Sequence, residues 1–173
     1  CWSIPYARSA KCCGRALVAR TIPYSVTLNC ERKMSVYCLS QLLDPYPAPV
    51  RTLAFDLAAL IRETAPGAVE SVRLRERCVR YSHQRCGYFC GLYPQVSSVQ
   101  LVFEFGVLLP DPDGLLRGEG PYVRFVTVRD HYHLHAPALR QLVAAASNLP
   151  RRRADRIALA DQVASGSGRN PLL

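Results

Sequence analysis

Four arginines are the residues of this sequence best suited to hold an anion. Arg73, Arg75 and Arg77 recur at every second position of segment 70–81, a period that is typical of a half-buried strand. On one strand their guanidinium groups share a face, and Arg124 lies on a later predicted strand. A planar guanidinium matches carboxylate and phosphate oxygens. The pattern therefore has two interpretations: an anion-binding site on an open sheet face, or a solvated sheet face.

A second group carries soft metal ligands. His83, Cys86 and Cys90, with Cys78 nearby in sequence, could supply the four positions of a zinc or iron site, since paired cysteines two to four residues apart are common in such sites. The alternative is that the thiols are small hydrophobic core groups. Cys90 favours that alternative because it falls inside a predicted strand.

Three histidines alternate at His131, His133 and His135. In an extended segment they would share one face about 6.6 Å apart and could bind a transition metal. The segment leads into a predicted helix, which would scatter the three rings, so a solvated start of a helix is the competing interpretation.

An acidic turn follows the third predicted strand. Asp111, Pro112, Asp113 and Gly114 precede Glu119 and superficially resemble a calcium loop. An EF-hand loop needs a further ligand before its glycine and a glutamate at fixed spacing, and both are missing. We expect the two aspartates to stabilise the turn through bonds from side chain to backbone.

The sequence contains no nucleophile motif, phosphate-binding loop or dinucleotide fingerprint. His83 and Cys86 are close in sequence, but a nucleophile and its base must also meet in space and be oriented by a third group. The sequence therefore predicts a protein that is not an enzyme but a binding module for a small anionic ligand or a protein partner.

Hydrophobic periodicity places these residues on a sequence of elements. The pattern predicts a helix, four strands and a second helix, at 50–64, 70–81, 88–93, 99–105, 122–128 and 134–147. Short links favour antiparallel pairing, and both helices can cover one sheet face. The predicted fold class is α+β, a two-layer sandwich whose other sheet face is open.

The charge and the cysteines divide the chain into three parts. Residues 1–33 carry six basic side chains against one acidic, and 147–173 carry five against two, so most of the net charge of +9 belongs to the ends. We predict a leader at 1–33 that precedes a natural start at Met34, a domain at 34–150, and a basic flexible tail at 151–173 with a weak helix at 152–163.

The same features bear on location and partners. There is no apolar run of the roughly 18 to 20 residues that a membrane span needs, and the nearly neutral middle of the chain argues against binding a long nucleic acid. We expect a cytoplasmic protein with reduced thiols. The sequence does not define the oligomeric state.

Residues 87–129 carry a family resemblance. Phe103, Gly106, the turn Leu109–Leu116 with Asp111, Pro112 and Gly114, then Gly118, Gly120 and Arg124, resemble the turn motif of the YdhG-like domain-of-unknown-function family, and the earlier PGAVE segment places Glu70 at that family's acidic position. The family often has a lysine where this chain has Pro121. The resemblance implies a frataxin-like two-layer fold and, from some relatives, a possible iron-chaperone role, although this chain offers only Asp56, Glu63 and Glu70 for an acidic ridge.

Overall fold

The computed structural model describes residues 38–165. Within this range the chain forms five α-helices: α1 Leu39–Leu43, α2 Ala48–Thr64, α3 His131–His135, α4 Pro137–Ser147 and α5 Arg153–Ala164. The same range forms five strands: β1 Val69–Arg73, β2 Cys78–His83, β3 Gly87–Pro94, β4 Val99–Phe103 and β5 Arg124–Val128. The α+β class is confirmed. The predicted leader, 1–33, lies outside the described residues.

The five strands form one antiparallel meander in the order of the sequence, so β1 and β5 are its edges. The prediction of a single strand at 70–81 is wrong: this segment is a hairpin in which Arg73 pairs with Cys78. Leu74–Arg77 form the turn, and Arg77 adopts a left-handed backbone with φ of 51°. Glycine or asparagine usually occupies such a position, so the sequence carries no recognisable signal for this turn.

The core lies on one side of the sheet, which we call the inner face. Tyr81, Cys90, Leu101 and Val126, one from each of four strands, are fully or almost fully buried there. The apolar stripes of α2 and α4 belong to the same hydrophobic cluster, and Arg140 of α4 forms an ion pair with Glu63 of α2 at 3.2 Å. Both long helices therefore pack over the inner face.

The second predicted helix, 134–147, is two helices. Proline disfavours helical geometry in the residue before it, and Ala136 is accordingly extended, with ψ of 123°. Pro137 then occupies the first turn of α4, where its missing N–H costs nothing. The predicted start of this helix is therefore wrong, whereas its end at Ser147 is confirmed.

The prediction of a flexible tail is wrong for the described part of 151–173. The weak helix expected at 152–163 forms as α5. Its residue Arg156 is buried, and the guanidinium donates to the backbone oxygens of Pro150, Cys86 and Tyr88. Since Cys86 and Tyr88 flank the start of β3, the folded domain continues through α5.

Across residues 38–165, none of the helices combines the length and the apolar character needed to cross a bilayer.

Candidate functional site

We call the side of the sheet opposite the inner face the outer face, and neither of the long helices α2 and α4 of the described region lies over it. Cross-strand pairing defines two rows of its side chains. One row is Ser71, Arg80, Gly91, Val102 and Phe125. The second row is Arg73, Cys78, Tyr93, Gln100 and Thr127, and Val69, Ser82 and Tyr88 complete the face. Except for Cys78 and Gly91, all of these residues are at least partly exposed, so the face can be reached by a ligand.

An arginine lies over a tyrosine ring near the middle of this face. The guanidinium carbon of Arg80 is 4.2 Å from the centre of the Tyr88 ring, a distance at which a cation is attracted to the ring face. No carboxylate of the described residues forms an ion pair with Arg80. The stacking holds the side chain in place while its hydrogen-bond donors remain available.

Gly91 permits this arrangement. A Cβ atom at position 91 would lie 2.8 Å from the Tyr88 hydroxyl and 2.9 Å from Cε2 of Tyr93. The two tyrosine rings therefore lean over the bare backbone of β3. Any larger residue at this position would push the rings apart and alter the support under Arg80.

Tyr93 lies near a buried thiol, that of Cys78. Cys78 donates from Sγ to a carboxylate oxygen of Glu76 at 3.8 Å. Burial raises the pKa of Cys78, and burial also raises the pKa of Tyr88. Both groups are therefore neutral near pH 7, and Arg80 supplies the charge at the centre of the face.

The structure does not place Arg73, Arg75 and Arg77 in one row. Arg73 lies on the outer face, whereas Arg75 and Arg77 lie in the β1–β2 turn. Arg124 begins β5 at the opposite edge of the sheet, and its guanidinium donates to the backbone oxygens of Gly120 and Val123. The row is wrong because it assumed an uninterrupted strand at 70–81.

Arg80 is the residue that sequence reasoning missed. The four-residue turn reverses the alternation, so that odd-numbered residues of β1 and even-numbered residues of β2 face outward. Arg73 and Arg80 thereby become diagonal neighbours, a relation in which side chains on adjacent strands are about 7–8 Å apart. A turn signal at 74–77 would have revealed this, and the residues there provide none.

The predicted metal ligands are not brought together. Cys78 is on the outer face, whereas Cys90 pairs with Tyr81 on the inner face. His83 accepts a hydrogen bond at Nδ1 from the Arg85 amide (3.1 Å), which leaves Nε2 to donate to the Pro66 carbonyl (3.2 Å). Within residues 38–165, no group of three His, Cys, Asp or Glu side chains is placed to hold a metal ion.

The remaining cysteines and histidines have local roles. Cys86 is fully buried and donates to the Gly87 carbonyl, and the four cysteines of the described region are free thiols. Nδ1 of His131 lies 3.5 Å from Oδ2 of Asp56, whereas Nδ1 of His133 lies 2.7 Å from Oδ1 of Asp130. Because the segment is the single-turn helix α3 rather than a strand, these two histidines have different partners, and the interpretation of the segment as the start of a helix is confirmed.

The acidic turn is stabilised by Asp111, one of the two aspartates expected to do so, whereas Asp113 makes no side-chain hydrogen bond within residues 38–165. Asp111 accepts hydrogen bonds from the Leu115 and Leu116 amides, one on each carboxylate oxygen, both at 2.8 Å. Gly114 and Gly118 have positive φ angles of 63° and 116°, which glycine adopts without strain. Asp111 therefore uses both its oxygens within the turn.

Glu70, the acidic residue of the family resemblance, also has protein partners. It accepts a hydrogen bond from the Tyr81 hydroxyl at 3.3 Å and lies 3.5 Å from Arg62 of α2. These contacts join the edge strand β1 to β2 and to the helical layer.

The fold and the outer face define an α+β domain with an open antiparallel sheet. Comparison of the chain with protein-family models, with curated proteins and with solved structures finds no match.

Proposed function

We propose that the protein is a non-catalytic binding module that takes a small anionic ligand on the outer face, with Arg80 as the central guanidinium. The observation that carries this proposal is the stacking of Arg80 on Tyr88 without a carboxylate partner in the described region. A preorganised guanidinium loses less side-chain entropy on binding and can form two parallel hydrogen bonds to a carboxylate or phosphate.

The neighbours of Arg80 fit the same ligand chemistry. Arg73 supplies a second positive charge diagonally across the hairpin. Ser71 and Gln100 add hydroxyl and amide groups on the outer face, and these can satisfy the polar atoms of a ligand. Two guanidinium groups match a small anion, whereas tight binding of a long nucleic acid needs many phosphate contacts.

The experiment is a titration of the ¹⁵N-labelled full chain with phosphate, citrate and a short oligonucleotide, followed by amide shifts. Phosphate or citrate should move the amides of β2 and β3 around Arg80 and Gly91. Arg80→Gln should weaken binding at least tenfold. Arg51→Gln is the matched control, because Arg51 is an exposed arginine of α2 in the other layer.

A second variant tests the stacking itself. Tyr88→Leu retains the charge of Arg80 but removes the aromatic ring beneath it. Binding should become about threefold weaker, as expected from the size of an exposed cation–π interaction. The proposal is wrong if no anion moves these amides below millimolar concentration, or if Arg80→Gln binds as well as the unchanged chain. Binding by the oligonucleotide alone would overturn the small-ligand assignment.

We also propose that the chain is a distant YdhG-like protein. Support comes from the order of helix, antiparallel strands and helix, and from the turn that Asp111 stabilises within the resembling segment. The iron-chaperone role stays a prediction, and residues 38–165 offer no three-ligand group for it. A strand-by-strand comparison of an experimental structure with YdhG-like proteins tests the relationship, and metal analysis of protein purified without a histidine tag tests the role.

A further inference from the structure

A groove lies at the end of the domain where the β1–β2 and β3–β4 turns meet α1. Its volume is about 480 Å³, within the range of roughly 300–1,000 Å³ that small-molecule sites occupy. Its apolar lining includes Leu42, Tyr46, Leu74 and Val96, together with two prolines. Val96 is 83% exposed, so the apolar wall is open to solvent on that side.

One charged side chain lines this groove. Among the described residues of the lining, Arg77 is the only one with a permanent charge, and none carries a carboxylate. Within residues 38–165 its side chain forms neither an ion pair nor a hydrogen bond. A cation beside an apolar surface complements a ligand that has an apolar body and one negative group.

The backbone fixes where this charge is presented. Arg77 has φ of 51°, the sole non-glycine residue of the described region with a positive φ, and its amide donates to the Leu74 carbonyl at 3.2 Å. A left-handed conformation is strained for arginine but not for glycine. The turn thus keeps a strained arginine where glycine would fold more easily, a pattern that is concentrated at binding and catalytic sites.

We propose that this groove binds a small monocarboxylate with an apolar body, the carboxylate on Arg77 and the apolar part against Tyr46, Leu74 and Val96. The site is separate from the outer face and does not depend on the function proposed above. A single guanidinium matches a single carboxylate, in contrast to the paired arginines of the outer face.

The test uses octanoate as the probe and the labelled full chain. Octanoate should shift the amides of Leu42, Tyr46, 74–77 and Val96 with saturable binding. Octan-1-ol, which has the same apolar body without the charge, should bind at least tenfold more weakly, and acetate and octylamine should not saturate. Equal binding of octanoate and octan-1-ol would overturn the assignment of Arg77.

Two variants in the β1–β2 turn distinguish loss of the Arg77 charge from a general disturbance of folding. Arg77→Gly removes the guanidinium and suits the left-handed backbone, so the variant should fold and bind octanoate at least tenfold more weakly. Arg75→Gln is the matched control in the same turn, exposed and outside the groove lining, and should change binding less than twofold. Equal losses in both variants would contradict a specific contact.

A change on the exposed wall gives an independent test. Val96→Lys should strengthen octanoate binding and Val96→Glu should weaken it, with little effect on folding because the side chain is exposed. Opposite or absent effects would overturn the proposal.

The two proposed sites can be tested separately. Arg80→Gln should leave octanoate binding unchanged, and Arg77→Gly should leave the phosphate-induced amide shifts on the outer face unchanged. Failure at one site is therefore distinguishable from failure at the other.

Discussion

The buried guanidinium of Arg156 donates to Oε2 of Glu104 across 3.2 Å, and this pair ties α5 to the end of β4. Arg153, one turn earlier on the helix, reaches the other oxygen of the same carboxylate at 3.4 Å. The two contacts differ in environment, since the Arg156 side chain is 4% exposed and that of Arg153 is 63% exposed. Their energetic contributions should therefore differ strongly.

Replacing Arg156 by methionine should lower the free energy of unfolding by about 3 kcal/mol or more. The loss leaves Oε2 of Glu104 and several backbone oxygens without the donor that Arg156 supplies, in a largely buried region. Arg153→Met is the matched control and should cost less than about 1 kcal/mol, the range of exposed ion pairs. Urea denaturation at pH 7 measures both, and equal losses would contradict a structural role for Arg156.

Deletion of residues 151–173, which removes α5, tests whether this helix belongs to the folded domain. If 151–173 were a flexible tail, its deletion would leave cooperative unfolding intact. Because α5 buries Arg156 and Ala160, we expect that deletion to lower the midpoint of urea denaturation clearly or to abolish cooperative unfolding. Deleting 166–173, which removes none of the described residues, is the control. An unchanged midpoint after the longer deletion would restore the tail interpretation.

The sequence predicted the parts of this fold that depend on strong periodicity. Helix 50–64 and the inward residues of β4 follow from a regular apolar pattern that burial confirms. The hairpin at 74–77 could not be predicted, because Arg77 occupies a position where glycine would have marked the turn. Because the turn was not predicted, the residues of β2 were assigned to the wrong faces of the sheet, and Arg80 was not recognised as an outer-face residue. Arg156 was equally hidden, since charged residues are almost never buried without partners and its partners come from distant strands.

Arg77→Gly should raise the free energy of unfolding by about 1 kcal/mol. Glycine adopts a φ of 51° without strain, whereas arginine does not, although glycine also gains entropy in the unfolded chain and so offsets part of the benefit. Arg75→Gly supplies the comparison, since it carries the same entropic cost without relief of a positive φ and should destabilise. Urea denaturation measures the free energy of unfolding of both variants. A loss of stability in Arg77→Gly would show that the arginine makes a contact that compensates for its strained backbone.

The faces of the two long helices can be tested by truncating one side chain in each. Leu57 and Leu142 are 0% and 1% exposed, and Leu→Ala at either position should cost about 2–5 kcal/mol through lost burial and the cavity left behind. Thr52→Ala, at an exposed position of α2, should change stability by less than about 0.5 kcal/mol. A loss below about 0.5 kcal/mol at both leucines would contradict the assigned faces.

Alkaline pH should weaken the fold, and Cys90 is a suitable group with which to follow it. This thiol is fully buried on the inner face, and burial raises its pKa well above the ordinary value. In the unfolded chain a thiol loses its proton near pH 8.5, so above that pH the folded state binds more protons than the unfolded state. The free energy of unfolding then falls as pH rises, and the contribution of Cys90 is fully present only below about pH 8.5. Urea denaturation between pH 7 and 10 should show this decline.

The Cys90→Ala variant should be less stable at pH 7 because it leaves a small cavity. Above pH 8.5, however, its free energy of unfolding should fall less steeply, by up to about 1.4 kcal/mol per pH unit. Equal slopes in the two proteins would show that the thiol ionises as readily in the folded state as in the unfolded one.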